Sequence, residues 1–87
     1  MIELGDKIKL NGFDNLDPAA IIVVKKMVGS FARKFIEKNG LYEFFEITNE
    51  NNKISTSMIV EDNTINSISN EKNIYFGLSK ALKGLKK

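Results

Sequence analysis

Cysteine and histidine are both absent from this 87-residue chain. Without thiols it has no disulfide, no thiolate nucleophile and no zinc–thiolate site. Without imidazole it lacks the usual near-neutral general base and a common transition-metal ligand. Long apolar runs are missing too. The longest uncharged apolar stretch, Ala19–Val24, is far short of a membrane span. Glu3 lies close to the start and no lysine-flanked apolar segment leads the chain, so no signal peptide is expected. These absences predict a soluble, cytoplasmic protein without a membrane partner. The length predicts one domain over residues 1–87, with a small core and marginal stability.

Charge is present but segregated. Residues 25–38 carry Lys25, Lys26, Arg33, Lys34 and Lys38 against Glu37 alone, a local sum of +4. Residues 72–87 carry Lys72, Lys80, Lys83, Lys86 and Lys87 against no acid, a sum of +5. The middle, 39–71, sets Lys53 against Glu43, Glu46, Glu50, Glu61, Asp62 and Glu71, a sum of −5. A net charge of only +2 therefore conceals two cationic segments. Such a pattern favours a polyanion on one face. It is equally what solvated helix faces look like when acids elsewhere balance them.

Hydrophobic periodicity predicts the elements. Lys7–Leu10 alternates and reads as a strand, with a turn at Asn11-Gly12 and a linker-like stretch over Asn11–Leu16. Asp17-Pro18 predicts a helix start with the aspartate as cap, and Asn39-Gly40 a left-handed end. Between them Ala20, Ile21, Val24, Met27, Val28, Phe31, Ala32 and Phe35 share one face, leaving Ile22 and Val23 outside it. Leu41–Thr48, Lys53–Val60 and Thr64–Ser69 read as three antiparallel strands. Ser69 or Asn70 is expected to open a last helix, whose stripe is Ile74, Leu78, Ala81, Leu82 and Leu85. Lys80, Lys83 and Lys87 line its other side with Phe76 among them, and Gly77 and Gly84 mark either close approach or fraying. The expected fold is α+β, a two-layer sandwich in the order β-α-β-β-β-α, with two helices on one face of a four-stranded sheet.

Three local texts carry a resemblance: Ile8-Lys9-Leu10-Asn11-Gly12 before a long helix, the strand pair Tyr42–Thr48 and Ile54–Val60, and Asn73-Ile74-Tyr75-Phe76-Gly77-Leu78 leading into a lysine-bearing helix. Together with the element order, over roughly residues 7–87, the chain resembles the N-terminal domain of the ribosome hibernation-promoting factors, the ribosome-associated inhibitor family. The resemblance implies translation regulation by a domain seated in the decoding groove of the small ribosomal subunit. It implies contact with ribosomal RNA through Lys25, Lys26, Arg33 and Lys34 of the first helix and Lys80, Lys83 and Lys87 of the last. The chain departs from the family in its acidic middle and in having Arg33 as its one arginine, and the dimerising C-terminal extension of the long forms is expected to be absent.

The remaining candidates are weighed on their chemistry. Phe76 is read as partial core or a dimer contact before a base-stacking one, and Ile22 and Val23 as edge core or a partner patch; a homodimer or protein-interaction subunit using the open sheet face or these residues is the alternative to RNA binding. Tyr42, Phe44 and Phe45 would suit a stacking sheet, but Glu43 and Glu46 beside them repel phosphate, so core burial is expected for at least two of the three. Asp14 with Asp17, and Glu61 with Asp62, are acid pairs without a third ligand in sequence. No phosphate-cradling glycine loop and no nucleophile elbow occurs. A non-catalytic chain with no cofactor and no metal is expected.

Overall fold

A computed structural model describes residues 2–5 and 7–85. The element order is β1 (Ile2–Leu4), β2 (Ile8–Asn11), α1 (Pro18–Asn39), β3 (Phe44–Glu50), β4 (Lys53–Val60), β5 (Asn63–Asn70) and α2 (Ile74–Lys83). The fold is α+β, with two helices and a five-stranded mixed sheet in the order β1-β2-β3-β4-β5. Among the described residues only the β2–β3 pair is parallel, because α1 carries the chain from one strand to the next. The others are antiparallel.

The four-stranded expectation is corrected by β1. Ile2 and Leu4 pack against the core while Glu3 points away. Three residues are too few for alternation to stand out in sequence, and pairing with Leu10 and Ile8 is what makes them a strand. The linker-like stretch is corrected as well. Phe13 is fully buried and Leu16 packs against the core, so the turn between β2 and α1 seals one end of the interior.

One row of each strand faces the helices: Ile8 and Leu10, Phe45 and Ile47, and Ile54, Thr56, Met58 and Val60 are all buried. Val24, Val28, Ala32 and Phe35 of α1 and Leu78, Ala81 and Leu82 of α2 join them in a single cluster. Each Val, Leu, Ile, Phe or Met side chain among them that is fully withdrawn from water contributes about 1.5–3 kcal/mol before entropy is counted. Phe31 and Phe45 meet at 5.8 Å between ring centroids, tying α1 to β3. The buried hydroxyls are satisfied: Thr56 Oγ1 donates to the Ser67 carbonyl at 3.1 Å, and Ser69 Oγ to the Gly77 carbonyl.

Helix ends differ from the sequence reading in instructive ways. Asp17 occupies the N-cap position and its carbonyl accepts from Ile21 N–H at 3.0 Å, but its side chain makes no capping bond. Pro18 alone presets the first turn. Gly40, at φ +88°, turns the chain out and donates its N–H to the Ile36 carbonyl at 2.9 Å. The second helix begins at Ile74 rather than at Ser69 or Asn70, because those residues complete the ladder with β4. Its cap is Asn73, whose side-chain oxygen accepts from the N–H groups of Tyr75 at 2.9 Å and Phe76 at 3.0 Å.

Of Gly77 and Gly84, only Gly84 marks close approach. A Cβ on Gly77 would sit 3.4–3.5 Å from Ser69, Glu71 and Ile54, and one on Gly84 would collide with the Ser67 side chain. Gly84 lets the end of α2 lie low over β5.

Candidate nucleic-acid interface

The lysine rows were separate in sequence; the fold brings part of them together. A groove of about 520 Å³ runs between α1 and α2. Its walls carry Lys26 and Lys34 from α1 and Lys83 from α2, and Met27, Phe31 and Leu82 form its apolar lining. Ser30 of α1 and Ser79 of α2 also line it. A second depression of about 480 Å³ follows, lined by Lys34, Glu37 and Lys38 with Phe31, Phe35 and Leu85. The first therefore joins residues 26–34 to 79–83 and the second joins residues 31–39 to Leu85, so both helices run in the same direction along the cleft.

Lys26, Lys34 and Lys83 are exposed, and none forms an ion pair among the described residues. Three ammonium groups around a partly apolar cleft make a local positive field that no carboxylate cancels at contact distance.

The other predicted cations are distributed differently. Lys25 and Lys34 are nine positions apart, about two and a half helical turns, so they leave α1 on opposite sides, and Lys25 is not part of the groove lining. Arg33 is exposed on the same helix, also outside the groove lining. Lys80 is engaged: its Nζ lies 3.1 Å from Glu71 Oε1, with side-chain exposures of 65% and 28%. A partly exposed pair of this kind is worth at most about 1 kcal/mol, but it removes Lys80 from the set of unpaired cations. The pair spans the β5–α2 junction, where no helical i, i+4 rule reaches it. Lys87 lies outside the described residues.

Ile22, Val23 and Phe76 are exposed at 55%, 42% and 63%. Val23 lies one turn before Met27, and Phe76 two turns before Lys83. Given the common direction of the helices, both stand at the N-terminal mouth of the groove.

The opposite face of the sheet has another chemistry. Tyr42 and Phe45 are buried on the helix side, which leaves only Phe44 facing outward, half-buried beneath the Lys9 ammonium at 5.5 Å from its ring centroid. A shallow depression of about 320 Å³ there is lined by Glu46, Thr48, Ser55, Ser57, Asn66 and Ile68. Asn11 Nδ2 donates to Glu46 Oε2 at 2.8 Å, fixing the carboxylate in place. This face is hydroxyl- and amide-rich and carries no stacking platform.

Among the described residues, no three acidic side chains converge in a way that would hold a metal ion. Neither helix is long and apolar enough, over those residues, to cross a membrane. A scan against protein-family models found no match to the chain, and a search of curated proteins found none either.

Proposed function

We propose that this chain is a small, non-catalytic RNA-binding module that grips phosphate through the walls of the interhelical groove. The observation that carries the reading is the convergence of Lys26 and Lys34 from one helix with Lys83 from the other, with no carboxylate paired to any of them among the described residues. Lysine suffices for this task, because duplex RNA is recognised by shape and backbone rather than by base edges. Arg33 extends the cationic surface along α1. The two-layer arrangement, with helices on one side and a polar sheet face on the other, supports a one-sided contact. The sequence resemblance to hibernation-promoting factors supports the small ribosomal subunit as the source of that RNA, and with it a cytoplasmic role in translation regulation.

The test is co-sedimentation with small ribosomal subunits at low and high salt, beside a variant carrying Lys26→Glu, Lys34→Glu and Lys83→Glu. Binding at low salt, release at high salt and loss in the variant are expected. A complex indifferent to salt, or one that the variant still forms, defeats the reading.

A second reading rests on the exposed Ile22, Val23 and Phe76. There the helix surface seats a protein partner or a second copy. Sedimentation velocity on the wild type and on an Ile22→Ser/Phe76→Ser variant decides it: an assembly lost on substitution favours this reading, and an unchanged one removes it.

A further inference from the structure

The two edges of the sheet are unlike. The β1 edge is three residues long and carries Glu3. The β5 edge is eight residues, Asn63–Asn70, with no charged residue and no proline, paired to β4 in eight consecutive registers without a bulge. Natural edges are usually blunted by charge, proline, bulges or shortness. The β5 edge has none of these.

The hairpin geometry identifies which backbone groups are open. Glu61 and Asp62, at φ 51° and 66°, form a two-residue turn of the type I′ class, flanked by the pair Val60 and Asn63. That flanking pair is hydrogen-bonded, and hydrogen-bonded pairs then alternate along the ladder. Asn63, Ile65, Ser67 and Ser69 therefore direct their amides and carbonyls to β4. Thr64, Asn66, Ile68 and Asn70 direct theirs away from the sheet. Among the described residues, no other segment supplies a backbone partner to these outward groups.

We infer that β5 is a self-pairing edge, by which two copies of this chain join antiparallel into one continuous sheet. Two features favour a second copy as the occupant. First, antiparallel pairing about a two-fold axis is self-complementary. With the axis at Ser67, the outward-directed residues meet one another: Asn66 stands opposite Ile68 of the second copy and Thr64 opposite its Asn70. Inward rows also stay on the helix side in both copies. Second, the edge carries no charge from Asn63 to Asn70, so two copies approach without like-charge repulsion along the strand. Pairing stops at two, because the remaining free edges of the assembly are the short β1 strands. An eight-residue edge buries less than the standard ~1,600 Å² interface, so the dimer is a weak one, populated at high protein concentration.

The surface is neither the groove nor the exposed helix residues, so it stands or falls apart from RNA binding. The experiment is sedimentation equilibrium of the full chain over a wide concentration range, with Asn66→Pro and Ile68→Lys as variants. Proline at an outward-directed position removes an edge donor without removing a β4 bond. Lysine adds charge to the edge and leaves the backbone intact, so it serves where proline impairs folding. Circular dichroism checks that both variants fold. The wild-type mass should rise from 9.8 kDa toward twice that value with concentration, while both variants remain monomeric. RNA binding by the variants should be unchanged. A wild type that stays monomeric throughout, or a dimer that survives Ile68→Lys, or one lost only with Phe76→Ser, overturns the inference.

Discussion

Removing Lys83 separates groove binding from mere net charge. Lys83→Gln and Lys25→Gln each delete one positive charge from the same protein, but only Lys83 lines the interhelical groove with Lys26 and Lys34. If those three ammonium groups each neutralise one phosphate, the duplex coefficient gives log K against log salt a slope of about −2.7. Affinity then falls roughly 40-fold between about 50 and 200 mM salt. Without Lys83 the slope becomes about −1.8, and the same salt step costs only roughly 12-fold. Lys25→Gln should leave the slope at its wild-type value, because that side chain leaves α1 on the far side from Lys34. Fluorescence anisotropy with a labelled RNA hairpin, titrated at four or more salt concentrations, measures both slopes. Equal slopes for the two variants would refute the groove as the contact and return the lysines to a diffuse field.

Three further expectations concern the scaffold. Gly12 has φ +79° and its missing Cβ would overlap the Asn49 carbonyl, so Gly12→Ala combines left-handed strain of about 1–2 kcal/mol with a backbone clash, read as a large drop in urea midpoint. Asn73→Ala, which removes the oxygen capping Tyr75 and Phe76, should cost about 1 kcal/mol in chemical denaturation, whereas Asp17→Ala should cost a few tenths at most because that side chain makes no cap bond. Burial pushes the Tyr42 phenol above its ordinary value near 10, so the folded state holds that proton longer than the unfolded one. Its contribution is whole below pH of about 10 and is lost as pH rises through the folded value. The alkaline fall in stability should therefore be shallower in Tyr42→Phe than in the wild type.

The contrast between Asp17 and Asn73 shows how local text can mislead. Asp-Pro is the stronger helix-start signal, yet the Asp17 side chain makes no capping bond in α1. Asn73 does the capping because β5 continues to Asn70, and only pairing with Lys53 of β4 makes that continuation worthwhile. Similarly, β4 was legible residue by residue, since Ile54, Thr56, Met58 and Val60 alternate without interruption. The short β1 and the buried Phe13 were not, because their value lies in contacts with residues far along the chain.

Consecutive residues alone specify the helix α1, the hairpin strands, the apolar stripe of α2 and the segregation of positive charge, because each is written in local periodicity and order. Tertiary structure alone decided which cations share a site. Lys34 and Lys83 meet across a groove, Lys80 is taken by Glu71, and Lys25 faces elsewhere. The physical reason is that a helix fixes only the angle at which a side chain leaves its own axis, whereas the rotation of one helix against another is set by how Phe31, Leu82 and the sheet beneath them pack.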